Sequence, residues 1–241
     1  RNALNTSFGL QSALWSKNFQ IWTTTNAING LWLNASGTGS GTYTNVNPTA
    51  GATKYQSCRR STYANLITIA NQLLGVANGQ ASFFRGSTAG LGGFFYYARV
   101  GFDVWTNGGR FFAGMATGTT VVTAGDPSAL NNTVGFCVDA ADNGAISFLT
   151  RGTAATKAST GFTIVSNKGY DCYIYCSPNS SQYTWQIIDI NTGTSASGTA
   201  TLNLPTNTTM QAPEALASNA ALTPATSISI GVCKVYVESD N

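Results

Sequence analysis

Gly93-Phe94-Phe95-Tyr96-Tyr97-Ala98-Arg99-Val100-Gly101-Phe102-Asp103-Val104-Trp105 alternates from end to end. One face of this run carries Phe94, Tyr96, Ala98, Val100, Phe102 and Val104; the other carries Phe95, Tyr97, Arg99, Gly101, Asp103 and Trp105. A period of two is the strand period, because successive side chains of a pleated chain point to opposite sides. The first face is apolar throughout and is read as core. The second mixes aromatic, charged and small residues and is read as a surface. Thr106-Asn107-Gly108-Gly109 follows, and apolar character resumes over Arg110–Ala116. Asn-Gly between two such runs predicts a tight hairpin.

The pattern recurs outward from there. Leu14–Thr23 places Trp15, Phe19 and Ile21 on one face, and Ile28–Asn34 is a second short candidate. Residues 36–53 are rich in Gly, Thr and Asn and read as a long loop broken by Gly37, Gly39 and Gly41. Ser61–Gly75 is open between a strand with a turn and a helix, its β-branched content weighing against the helix. Strands are expected at Thr133–Val138, Ala145–Thr150, Gly161–Val165, Tyr170–Cys176, Tyr183–Ile190, Thr199–Leu204 and Ser227–Val237, punctuated by Asn-, Gly- and Pro-rich turns. Only Gln211–Leu222, rich in Ala with Pro213 near its start, reads as a short helix. No repeat, linker or break in composition divides the chain, so residues 1–241 are expected to form a single all-β domain, an antiparallel sandwich or barrel.

Composition narrows the partners. Charged residues make up 9% of the chain, against about 25% in an ordinary globular domain, and Thr, Ser, Asn and Gly take their place. The net charge is +3, and Arg59-Arg60 is the only adjacent basic pair. No basic stripe exists for a nucleic acid. No apolar run approaches the roughly 20 residues of a membrane helix, so membrane insertion is not expected. Arg1 stands where an initiator Met or a signal peptide would, and reads as the start of a fragment or processed piece. The five cysteines include no CxxC, and an odd number leaves at least one thiol unpaired. On a strand, Cys172 and Cys176 would be about 13 Å apart, while a disulfide needs Cα atoms within about 7 Å. All five are expected reduced, mostly as small buried hydrophobes.

There is no histidine. That removes Ser–His and Cys–His nucleophiles, HExxH zinc sites and the usual group titrating near neutrality. No phosphate-binding GxxxxGK[ST] loop occurs. No catalytic residue, metal site or cofactor is therefore assigned. Asp139 and Asp142 are close in sequence and could meet the spacing of glycosidase chemistry, which needs two acids about 5–9.5 Å apart; a polar loop is the plainer reading. Asp139-Ala140-Ala141-Asp142-Asn143-Gly144 also departs from a calcium loop at Ala141 and Thr150. Aromatics are the remaining resource, since sugars stack on aromatic rings while Asn, Asp and Arg take their hydroxyls. Tyr97, Arg99, Asp103 and Trp105 on the second face, Asn107 in the turn, and Asp139, Asp142 and Asn143 make the candidate ligand set. Arg99 and Asp103 would equally well pair with neighbouring strands. Asn-x-Ser/Thr triplets such as Asn34-Ala35-Ser36 are attributed to chance.

Several strings carry a resemblance. Ser82-Phe83-Phe84-Arg85-Gly86, Gly92–Asp103, Gly109–Met115, Gly125–Asn132, Val138–Asp142 and the closing Ile230–Glu238, with Arg59-Arg60-Ser61-Thr62 before them, resemble the distal domain of bacteriophage tail fibres. The matches run from about Arg59 onward. The resemblance implies a jelly-roll (concanavalin-like) sandwich, assembled as a homotrimer at the fibre tip of a virion, folded in the host cytoplasm and recognising a bacterial surface glycan such as lipopolysaccharide. It supplies no set of binding residues. A receptor-binding, non-catalytic domain is thus the leading expectation. A polysaccharide depolymerase using Asp139 and Asp142 and a ligand-free trimerisation or capping domain are the alternatives.

Overall fold

In the computed structural model the alternating run becomes the strand Phe94–Val104. The structure describes residues 18–22, 34–35, 42–65, 73–77, 81–88, 91–117, 125–219 and 227–239. These form fifteen strands: β1 (Asn18–Trp22), β2 (Asn34–Ala35), β3 (Thr42–Val46), β4 (Arg60–Ala64), β5 (Leu73–Ala77), β6 (Phe94–Val104), β7 (Arg110–Ala116), β8 (Thr133–Val138), β9 (Ala145–Arg151), β10 (Ala155–Thr163), β11 (Lys168–Cys176), β12 (Tyr183–Asp189), β13 (Ser195–Ala200), β14 (Ala212–Ser218) and β15 (Ser229–Ser239). Single 3-10 turns stand at Pro127–Ala129 and Ala140–Asp142.

Two antiparallel sheets result, and the fold is a concanavalin-like jelly-roll β-sandwich. The larger sheet runs β13-β12-β11-β6-β15, then β4-β3, with β1 also pairing along β15. The smaller runs β10-β9-β8-β7-β14-β5-β2. Inward alternation fills the space between them. Phe94, Tyr96, Ala98, Val100 and Phe102 of β6 join Phe111, Ala113 and Met115 of β7, Val134, Phe136 and Val138 of β8, and Ile174, Trp185 and Ile187 in one core. Edge-to-face rings fix it, with Phe102 on Phe111 at 5.2 Å and Phe136 on Phe148 at 5.3 Å. Cys172 and Cys176 of β11 lie in this core as small hydrophobes, and Cys137 is buried beyond it.

Four expectations are corrected. Thr106-Asn107-Gly108-Gly109 does not close a hairpin: β6 belongs to the larger sheet and β7 to the smaller, so the turn carries the chain across the sandwich. Gly108 has φ +87°, and the turn closes through Gly109 N–H to Thr106 O at 3.2 Å. The backbone N–H of Trp105 turns to Ser166 Oγ at 3.0 Å instead of a β7 carbonyl. Consequently the alternation breaks at its end: Val104 is 41% exposed, while Trp105 packs edge-on to Phe102 at 4.8 Å. Gln211–Leu222 contains no helix over its described residues; Ala212–Ser218 is a central strand of the smaller sheet, buried along its whole length. Helix propensity is a few tenths of a kcal/mol per residue, less than the gain from burying this segment between β5 and β7. The long loop at 36–53 includes β3. In Ser61–Gly75 the described residues are strand, in β4 and β5. Ile28–Asn34 lies outside the described residues apart from Asn34.

One buried group conflicts with the apolar interior. Glu214 on β14 is fully buried, and neither carboxyl oxygen has a hydrogen-bond partner. Its backbone carbonyl accepts the Tyr96 hydroxyl at 2.7 Å, tying the two sheets together. Burial raises the side-chain pKa well above the usual carboxylate range. The folded state therefore holds a proton that the unfolded chain releases above about pH 4.3, and stability falls as pH rises from there towards the folded-state value. Replacing Glu214 with Met is expected to raise Tm by several degrees at pH 8. The gain should shrink towards pH 4, read from thermal unfolding of both proteins across that range.

Candidate functional site

The outward faces of β11, β6 and β15 form rows that run across the strands, because their register is fixed residue by residue. Tyr175 and Glu238 flank Phe95; Tyr173 and Tyr236 flank Tyr97; Asp171 and Lys234 flank Arg99; Gly169 and Gly231 flank Gly101. Aromatic rows therefore stand next to an ionic row, and that next to a row with no side chains at all.

The glycine row is filled from above. Tyr55, in the turn before β4, lies over it and is fully buried. A Cβ on Gly231 would come 2.0 Å from Tyr55 Oη, and one on Gly101 or Gly169 would come 2.3 or 2.7 Å from its ring. Three glycines in register are thus what lets the ring lie on the sheet. Arg60 covers the ring at 4.8 Å and binds Asp103 through Nη2 at 2.7 Å. Desolvation, then the charge of Asp103, pushes the Tyr55 hydroxyl pKa upwards.

In the ionic row, Arg99 grips Asp171 in a bidentate pair, Nε to Oδ1 and Nη2 to Oδ2, both 2.7 Å. The Tyr97 hydroxyl donates to the same Oδ1 at 2.9 Å. The hydrogen bond to Asp171 is the largest influence raising the Arg99 pKa, and the pair holds both groups in fixed orientation. Tyr97 and Tyr173 stack at 4.8 Å with 13° between their planes. The Lys234 ammonium lies 5.7 Å from the Tyr97 ring and 5.8 Å from the Tyr236 ring.

Beyond Tyr173 the face opens into a groove of about 140 Å³ lined by Phe95, Tyr173, Tyr175, Thr184, Gln186 and Ser197. Register explains this set. Gln186 of β12 pairs with Tyr173 on one side and Ser197 of β13 on the other, and Thr184 pairs with Tyr175. One face of Tyr173 is covered by Tyr97, and the ring also walls the groove. Gln186 Oε1 is buried and accepts no hydrogen bond. The exposed lining of the groove is almost wholly apolar, so it can hold a ligand by an apolar face laid against its aromatic walls.

The sequence candidates divide into three places. Tyr97, Arg99 and Asp103 share the outer face, but their polar groups are engaged by Asp171 and Arg60, as the strand-pairing reading anticipated. Trp105 sits at one end of the sandwich against Gly144, whose Cβ would come 2.9 Å from Nε1. It is thereby brought beside exposed Asn143, which has φ +52°, and Asn107 is exposed in the preceding turn. Asp139 and Asp142 both bind Lys157 Nζ, the first at 3.0 Å. Each also accepts a backbone N–H, from Ser128 and Asp139 respectively. Asp126 completes the cluster through Arg110 Nε at 2.7 Å and Ala140 N–H at 3.0 Å. Burial alone would raise the Asp126 pKa, but these two hydrogen bonds hold it below the usual range. The acids thus join the two 3-10 turns, with their oxygens directed at Lys157, Arg110 and backbone N–H groups.

Neither a known protein-family profile nor a curated protein matches the chain. Its likenesses are to solved structures. A protein of unknown function from Shewanella oneidensis MR-1 superposes with a TM-score of 0.63 at 13% identity, over 92% of this chain and 85% of that one. Peanut lectin with a 9mer peptide gives 0.58 at 11% identity, over 89% and 94%. Lectin I from Ulex europaeus, in complex with the methyl glycoside of α-L-fucose, gives 0.53 at 12%, over 92% and 96%. At these identities the likeness is one of fold.

Gly231→Ala is expected to lower Tm by about 5 °C through collision with Tyr55. In a Tyr55→Ala background the same change should cost almost nothing. Thermal unfolding of the four proteins of this double-mutant cycle measures the coupling.

Proposed function

We propose that this chain is a non-catalytic carbohydrate-binding domain and that the groove between Tyr173 and Ser197 is its sugar site. The observation that carries the reading is the ring of Tyr173 walling, with Phe95 and Tyr175, a groove whose exposed lining is apolar. A pyranose presents a C–H face that can stack on such a ring. The lectins among the structural likenesses support the class of ligand. The tail-fibre-like strings support a narrower form of it, in which the domain is the receptor-binding tip of a phage fibre, assembled as a homotrimer, and the ligand is a bacterial surface polysaccharide. Occupation of Asp139 and Asp142 by Lys157 weighs against the depolymerase reading.

The test is binding of the purified chain to an array of bacterial surface polysaccharides, followed by titration of any glycan that binds. Tyr173→Ala and Tyr175→Ala should each weaken binding at least tenfold, about 1.4 kcal/mol. Asp142→Asn should leave binding as it is. No hits on the array, or equal affinity in all three variants, would remove the groove as the site. Light scattering on the same samples reports whether the aromatic face joins copies of the chain instead.

The groove-lining side chains include no carboxylate, amine or imidazole. Desolvation raises the Tyr173 hydroxyl pKa further above its ordinary value. Affinity should therefore stay flat between about pH 5.5 and 7.5, checked by titration at both limits.

A further inference from the structure

Two cysteines far apart in the chain meet on the outer face of the larger sheet. Cys58 closes the turn that carries Tyr55: its N–H donates to Tyr55 O at 2.9 Å and its thiol to Lys54 O at 3.3 Å. Cys233 is the extra residue of a β-bulge. Val232 pairs with Val100 and Lys234 with Arg99, leaving Cys233 between them without a partner on β6. Arg99 is their shared neighbour: Cys233 stands beside Lys234, the register partner of Arg99, and the charges of Cys58, Arg99 and Arg60 all act on the Cys233 thiol. Arg99 Nη1 stands 3.9 Å from Cys58 Sγ, and Arg60 Nη1 donates to Cys58 O at 3.5 Å. Both cysteines are partly exposed, whereas Cys137, Cys172 and Cys176 are buried. A bulge that turns a cysteine outward, opposite a second cysteine in a surface turn, makes a dithiol that small disulfides can reach.

We propose that Cys58 and Cys233 are a thiol–disulfide site: under oxidising conditions they form an intrachain bridge that fastens the Tyr55 turn to β15. The reaction is exchange with a low-molecular-weight disulfide such as oxidised glutathione. Cys58, as the thiolate, attacks one glutathione sulfur, breaking its S–S bond and releasing one reduced glutathione. Cys233 gives up its proton and attacks Cys58 Sγ, forming the protein bridge and releasing the second. Two protein thiols are oxidised by two electrons, and one glutathione disulfide is reduced to two thiols. The bridge closes a loop of about 175 residues, a length at which cross-linking strongly restricts the unfolded chain.

The experiment exposes the whole chain to oxidised glutathione, quenches it with acid, and counts free thiols after unfolding. A peptide map by mass spectrometry locates any bridge. The expected result is loss of two of the five thiols, a linked peptide pair carrying Cys58 and Cys233, and a Tm about 10 °C higher that reverts with dithiothreitol. Cys58→Ala and Cys233→Ala should each abolish the shift. Five thiols remaining, a glutathione adduct that stays on Cys58, or bridges between chains would each overturn the proposal. None of these readouts depends on glycan binding, so failure here and failure of the groove assignment are separable.

Discussion

Cross-strand register between β11, β6 and β15 is the constraint on which the rest of the molecule depends. β6 is central in the larger sheet and hydrogen-bonded on both sides, so one slip of a residue would exchange its two faces. With the register as found, the inward residues close the core. The outward residues fall into rows in which rings meet rings, Arg99 meets Asp171, and three glycines leave a gap one ring deep. Each row is local in space but draws on strands far apart in sequence. Its chemistry is therefore a property of the pairing rather than of any one strand.

This explains what could and could not be read before the structure. The faces of Gly93–Trp105 were legible because the period of two needs no knowledge of partners. The core assignment of Phe94 through Phe102 followed from it. Tyr97, Arg99 and Asp103 were visible as an outward mixture, but their partners were not, since Asp171 and Arg60 lie 72 and 43 residues away. Tyr173 and Tyr175 escaped notice although Asp171-Cys172-Tyr173-Ile174-Tyr175 alternates in the same way as β6. Reading the two strands side by side would have suggested a shared aromatic face. Gln186 had no local signal; its place beside Tyr173 follows from the pairing of β11 with β12, which only the fold reveals.

The errors have physical causes as well. Ala-rich Gln211–Leu222 looked helical because propensity was the only term the sequence exposed, while burial between two strands was not. Its neighbour β5 meets it at Gly75, where φ is +124° and a Cβ would strike the Ala215 carbonyl oxygen at 2.2 Å. The Asn-Gly turn promised a hairpin because turn chemistry fixes a reversal of direction but not the sheet that the returning chain joins. Asp139 and Asp142 drew attention as a pair of acids, and their spacing proved to be that of a capping box around one 3-10 turn.

That crossing turn has a consequence for how the molecule is made. β6 cannot pair with the strand that follows it; its neighbours are β11 and β15, which begin at Lys168 and Ser229. During synthesis it must wait, half-apolar and with both edges open, for strands that leave the ribosome later. High contact order of this kind slows folding and lengthens exposure to aggregation. The aromatic face comes into being only once β15 has been made.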